Sequence, residues 1–474
     1  MTTTTAPHIP PTLVSAARAL RRGELTSRQL VSHAIASRRD ELGAYRSVDD
    51  EHALAQAAAA DAALAAGFDL GPLMGLPISV KDLFGVPGFR TYGGTPRALA
   101  ASWEQAGPVV QALRSQLGVV VGKTHTVELA FGGIGTNPHY PTPKNPWDAD
   151  AARVPGGSSA GAGVSLVEGS ALLALGTDTA GSVRIPASFC GVVGLKTTVG
   201  RWSTRGIVPL SASLDTAGIL ARDVADVALA FEAIDGRVRA GDASCGARRG
   251  AIDLSRLPLS RLRLARCDQL FWSDCSPGVV ETVDAALGVL VQHGADVARV
   301  ELPEVEAAYQ VFLAGGPVAI ELERFLQSEL PEALDTLDPN VRARLQGATT
   351  VPASEYLQRL ERLAQLGASA AETIGPFDAL VAPTVALTPP TFEEVADGEG
   401  YRRNNLLALR NTSSANYLGW CAITLPVGCD AAGMPVGLML MGRGGTDAHL
   451  IEVARAVQAE LGDAETLLGV APRL

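Results

Sequence analysis

Two hydrophobic periods run through this chain, about 3.6 residues for helices and 2 for strands, and the places where each holds predict the elements. Residues 1 to 11 carry neither and read as a loose, polar, Pro-rich tail. Helices are expected from about Thr12 to Arg22 and then after Ser27, taken as an N-cap, with Leu30, Val31, Ala34 and Ile35 on one face. An Ala-rich helix follows from Ala53 to Ala66. Beyond Gly71 the runs shorten and become strand-like: Leu76 to Val80, ending on Lys81-Asp82; Leu117 to Val121, leading into Gly122-Lys123; Ala171 to Gly176; and Val192 to Leu195. Leu262–Cys267, a helix over Val279–His293 and Val297–Val300 read as β-α-β. Residues 303 to 375 are mostly helical and read as an inserted cap. A strand at Ala379–Ala382, a hairpin of Ala422–Val427 and Val436–Met441 around Asp430–Gly433, and a helix from Asp447 to Leu461 complete the chain. Alternating strands and helices argue for one large α/β domain over residues 12 to 474, with a core over about 71 to 220 and no internal repeat.

Two stretches break the pattern. Residues 131 to 163 are dense in Gly, Pro, Ser and Asn but are flanked by strand-like runs, which favours a functional loop region over a linker. Residues 237 to 256 are polar and read as a surface linker. Apolar residues make up 47% of the 474 and charged residues 19%, enough for a sizeable core. The net charge of −11 is scattered; Arg261 to Arg266 is short and interrupted, so the basic stripe of a nucleic-acid binder is missing. Six cysteines lie far apart, with no CxxC and no His at zinc-ligand spacing, and are expected to be free thiols in a reducing compartment. No signal peptide or membrane-length apolar run is present, so a soluble cytoplasmic protein is expected.

Three places hold Ser or Lys in settings suited to chemistry. Gly176 to Arg184 runs from a strand into a Gly-flanked turn that presents Ser182. The backbone amides of Thr179, Ala180, Gly181 and Ser182 could converge there on an oxyanion. An ordinary turn with Ser182 as a helix N-cap fits the same residues. Pro155 to Gly161 sets two glycines before Ser158 and Ser159. It is not a P-loop, but Gly157-Ser158-Ser159-Ala160-Gly161 matches the G-x-S-x-G elbow, which would make Ser159 the nucleophile, with His293 and His449 as the only downstream histidines. Ser79 to Asp82 offers a base without histidine: a Lys buried at a strand end loses solvation, and its pKa falls towards the range useful for general-base work. A salt-bridged Lys81 is the plainer alternative.

In this order and spacing, the three segments closely resemble the amidase signature family. The match covers Gly75 to Asp82, Pro143 to Trp147, Pro155 to Ser159 and Gly176 to Pro186, with Phe189-Cys190-Gly191 and Ser213 to Thr216 beyond it. The resemblance implies one large domain whose central mixed β-sheet is flanked by helices on both faces. It implies a Ser–cis-Ser–Lys triad: Lys81 as base, Ser158 as bridge after a cis bond from Gly157, and Ser182 as nucleophile, 24 residues on. Asp178 and Arg184 would brace the nucleophile loop, and Ser159 would support Lys81 or cap the next helix. His125 and His139 read as ordinary polar loop residues. The implied reaction is hydrolysis of a small-molecule amide by water through an acyl-enzyme, with no metal or organic cofactor and a homodimer as a plausible assembly.

Three departures stand out. Ala180 replaces a frequent Gly and would be strained at positive φ. Thr197 and Pro141 replace a Pro and a Gly, with effects confined to local rigidity. Ile185 replaces the Gln found in the glutaminase subunits of tRNA amidotransferases, which favours a free-standing amidase with an apolar acyl pocket. Two functions compete with it: a glutaminase-type component of a tRNA-dependent amidotransferase, and a Ser-His-Asp esterase using Ser159. The acyl pocket is expected from about residues 130 to 142 and 303 to 410, with no motif to name a ligand.

Overall fold

A computed structural model describes residues 9–240, 252 and 257–474. The first eight residues and most of the expected linker lie outside that range. Eleven strands form one sheet: β1 (Tyr45–Val48), β2 (Pro77–Lys81), β3 (Val119–Thr124), β4 (Leu173–Asp178), β5 (Val193–Lys196), β6 (Thr216–Ala221), β7 (Arg263–Arg266), β8 (Asp296–Arg299), β9 (Ala379–Pro383), β10 (Cys421–Cys429) and β11 (Pro435–Gly442). Their order is β1-β3-β2-β4-β6-β5-β10-β11-β9-β7-β8. The sheet is mixed: β2 runs parallel to both β3 and β4, and β7 to both β8 and β9, while the centre from β4 through β11 is antiparallel.

Helices cover both faces, which explains why the central strands read as continuous apolar runs rather than alternating ones. Within β3, Val119 and Val121 pack with Val31, Ala53, Ala57 and Leu166, whereas Val120 joins the opposite core. Ala174 and its neighbours Leu173 and Leu175 divide in the same way on β4.

The expected helix after Ser27 forms over Ser27–Ala36, but its cap is Thr26. Thr26 accepts from the Gln29 amide while Gln29 reaches back to the Thr26 N–H, a T-x-x-Q capping box that leaves Ser27 inside the first turn. The Ala-rich helix begins earlier than expected, at Asp50, because Asp49 supplies its cap. Strand β3 starts two residues later than the hydrophobic run and carries Gly122-Lys123 within it, since Leu117 turns the chain at φ 56°. The β-α-β unit, the hairpin and the helix over Asp447–Leu461 form as expected. Helices at Pro303–Leu313, Val318–Glu329, Pro339–Leu345 and Ala353–Thr373 fill the span read as a cap. The helix Val224–Ala240 runs into the span read as a linker. Strands β1 and β6 were not anticipated. Among the described residues, no helix is long and apolar enough to cross a membrane.

Candidate active site

Parallel pairing of β2 and β4 brings their C-terminal ends to one edge of the sheet, placing Lys81 beside the turn that follows Asp178. Lys81 is fully buried. Its Nζ lies 2.7 Å from Ser158 Oγ and 2.8 Å from Thr177 Oγ1, and no carboxylate forms a salt bridge with it among the described residues. Burial pulls its pKa down to about 7, against the opposing pull of the Asp178 and Asp215 carboxylates.

Ser158 follows a cis peptide from Gly157 and lies one residue before Ser159, which leads into the helix Ala160–Val167. The glycines before it have a steric reason. A Cβ on Gly156, at φ +80°, would lie 2.9 Å from the Pro186 backbone, and one on Gly157 would lie 2.7 Å from the Gly135 nitrogen. Ser159 holds the N-cap position without a side-chain cap bond. Its N–H donates to the Ser182 carbonyl and its Oγ to the Thr177 carbonyl at 3.4 Å, so it ties the two loops together, with no hydrogen bond to Lys81.

The turn that carries Ser182 is built around Asp178. Its carboxylate accepts the Gly181 and Val183 amides and a two-point contact from Arg184 Nε and Nη2, with Asn416 Nδ2 closing the cluster. Both ions are fully buried. Burial alone would raise the Asp178 pKa; the Arg184 charge and hydrogen bonds, with Lys196 nearby, outweigh it and hold the group at about 2. The next helix starts at Arg184 with Val183 as its cap residue, so Ser182 is not an N-cap. The Gly181 N–H is committed to Asp178, while Thr179, Ala180 and Ser182 face the cavity. Gly181 sits at φ +138°, where a Cβ would lie 2.1 Å from Thr412 Oγ1. Ala180 is not at positive φ, so the anticipated strain does not arise. No hydrogen bond joins Ser158 Oγ to Ser182 Oγ here.

Ser182 opens into a cavity of about 510 Å³. Its walls come mostly from Ala130–Gly132, the helices at Pro303–Leu313, Val318–Glu329 and Pro339–Leu345, and the helix Gly398–Tyr417, largely the spans expected for the acyl pocket, with Leu210 and Tyr417 outside them. Ile185 is not on that wall: it is fully buried behind Gly181 and Gly133.

Four contributors escaped sequence reasoning. Thr177, the second partner of Lys81, sits inside the quoted motif, and its place one residue before Asp178 was the signal that could have found it. Asp215 accepts Thr179 Oγ1 at 2.6 Å, and burial raises its pKa to about 6. Asn416 and Arg344 lie in helices with no motif to mark them. The rival histidines are elsewhere: His293 pairs with Glu460, and His449 with Asp378 at 2.9 Å. His139 binds Glu128 at 2.9 Å, a loop brace.

A profile of the Amidase family matches residues 28–451. The 2-amino-5-chloromuconic acid deaminase of Comamonas testosteroni is 49% identical over 96% of this chain and 97% of its own. One component of the glutamyl-tRNA(Gln) amidotransferase of Koribacter versatilis is 32% identical over 89% of this chain and 92% of its own. A crystal structure of an amidase superposes with a TM-score of 0.84 at 30% identity, covering 95% of this chain and all of that one. With its sheet, its buried lysine and its serine-bearing turns on one edge, the chain belongs to the amidase family of C–N hydrolases.

Proposed function

We propose that the chain hydrolyses a C–N bond of a small substrate and releases ammonia or an amine, with Ser182 as nucleophile and Lys81, through Ser158, as base. The observation that carries this reading is the 2.7 Å contact of a buried Lys81 with Ser158 beside the Ser182 turn. With a pKa near 7, about half of the Lys81 amines are neutral at neutral pH. A neutral amine takes the Ser158 proton as Ser158 takes that of Ser182. Ser182 then adds to the electrophilic carbon, and the amides of Thr179, Ala180 and Ser182 are the candidate donors to the negative charge that develops. The proton returns along the relay to the departing nitrogen. Water, deprotonated by the same relay, releases the product from Ser182 and restores the starting state.

Two substrate classes fit this cycle. A carboxamide presents its carbonyl carbon. An amine on an unsaturated carbon next to a carboxyl, as the name of the Comamonas relative denotes, presents a C=N carbon in its imine form. There the Ser182 proton goes to the nitrogen as Ser182 adds. A second proton, from Lys81, releases it as ammonia while the Ser182 oxygen supplies the electron pair. Water then adds to that carbon, returns the proton and displaces Ser182 to leave the ketone. Identity of 49% across nearly the whole of both chains favours the second. Ile185, in place of the Gln of glutaminase subunits, favours a free-standing enzyme over an amidotransferase component.

Ammonia release from 2-aminomuconic acids, simple carboxamides and glutamine tests the reading. Turnover is expected on the amino diacid, with a loss of at least ~10⁴-fold in Ser182→Ala. Wild-type turnover by Ser182→Ala would overturn the mechanism, and turnover on glutamine alone would overturn the substrate class.

A further inference from the structure

Among the described residues, Arg344 and Arg402 are the only charged ones lining the Ser182 cavity, in a chain whose net charge is −11. No Asp or Glu shares the wall, and among the described residues no carboxylate lies within salt-bridge distance of either guanidinium. Arg344 is the inner of the two. Its Nη1 donates to the Phe131 carbonyl at 2.8 Å, and its guanidinium carbon stands 3.7 Å from the centre of the Phe131 ring. That stacking sets the plane of the guanidinium, while the neighbouring Tyr401 and Tyr417 add only neutral hydroxyls. Arg402 is exposed, whereas Arg344 is half-buried. The remaining wall is mostly apolar, with Phe312, Leu406 and Leu409 among it.

A half-buried guanidinium such as Arg344, with no carboxylate partner among the described residues, is open to an anion that a ligand brings. Arg is also the side chain whose fork matches a carboxylate at two points. We propose that this cavity is a diacid site: Arg344 binds one substrate carboxylate in the interior, Arg402 steers and holds the second at the mouth, and the unsaturated carbon chain lies along the apolar wall with its C–N carbon at Ser182. This deepens the proposed function and rests on it for the reacting carbon, but the two anchors can be tested without turnover.

The test is calorimetric titration of the Ser182→Ala chain with three dienes built on a six-carbon chain: muconic acid with two carboxylates, sorbic acid with one, and dimethyl muconate with none. Affinity is expected to fall by ~10-fold or more with each charge removed. Arg344→Gln is expected to weaken muconate by ~10–100-fold and leave the diester unchanged, and Arg344→Lys to recover part of the loss. Arg402→Gln should weaken muconate less, with a loss that shrinks as salt is added. If Arg344→Gln does not fold, the order of the three dienes on the Ser182→Ala chain still decides. No muconate binding at millimolar concentration, a diester as tight as muconate, or muconate affinity within twofold in a folded Arg344→Gln would each overturn the diacid site. Ordered binding without ammonia release would instead overturn the proposed function alone, and ammonia release with unordered binding the diacid site alone.

Discussion

Lys81 is the residue at which burial and chemistry meet. An exposed lysine stays protonated at neutral pH and cannot act as a base; enclosure beneath Ser158 and Thr177 brings its pKa to about 7. The base works only when neutral, so kcat/KM should rise with pH through about 7 and level off above it. A pH profile on any turned-over substrate checks this, and a flat profile between pH 6 and 8 would remove Lys81 from the role. Asp178 differs because its charge has partners: Arg184 and two backbone amides stabilise the anion, so its work is to shape the turn. That the segments of Lys81, Ser158 and Ser182 belong together was legible because each is contiguous and rich in small residues, and small residues are what close backbone approach demands. Thr412, whose hydroxyl donates to the Ala180 carbonyl, and Arg344 were not, because each is one ordinary side chain on a helix that reaches the site only through the tertiary fold.

At the scale of elements, a chain of carboxylate contacts joins the cap to the turn that carries Ser182. Glu321, on the helix Val318–Glu329, accepts from Ser211 Oγ at 2.6 Å, the Ser213 amide at 3.1 Å and the Tyr356 hydroxyl at 2.7 Å. The Ser211 amide in turn donates to Asp215, which holds Thr179. Glu321→Leu strands these donors and should cost about 1–3 kcal/mol of stability. With Thr179 less firmly held, kcat should drop by ~10-fold or more. Denaturant melts and steady-state kinetics read the two effects, and unchanged kcat in the destabilised variant would confine Glu321 to holding the cap. Thr179 and the stretch Ser213 to Thr216 stood out in the sequence, but their link to Glu321 and Tyr356 did not, since the network spans residues 179 to 356. Elements whose signal is local did emerge: the hairpin around Asp430–Gly433 and the helix over Asp447–Leu461. Strand β6 was hidden because Thr216–Ala221 is short and interrupted by Gly218, and it becomes a strand only between β4 and β5. The displaced cap at Thr26 is a competition between neighbouring hydroxyls that Gln29 decides.

Across the whole molecule, the burial that lowers the Lys81 pKa also weighs on stability. In the unfolded chain Lys81 has its ordinary pKa of 10.5, against about 7 in the fold. Between those values the unfolded state binds more protons, so stability rises with pH through that window; below about 7 both states are protonated and the full cost of a buried charge remains. At ~1.4 kcal/mol per pKa unit that cost amounts to several kcal/mol. Lys81→Met removes the charge and keeps most of the volume. It forfeits the contacts to Ser158 and Thr177, at about 1 kcal/mol each. The two effects oppose each other with different pH dependence, so their difference must change sign. At pH 6 the variant should melt above the wild type while being inactive. Its advantage should shrink as pH rises and reverse as pH nears the ordinary lysine value, where the amine starts to become neutral in the unfolded chain as well. Thermal melts of the two proteins across that range read the crossing directly. A constant offset would mean that Lys81 is charged or neutral alike in both states, and the pH-dependent base would lose its physical ground.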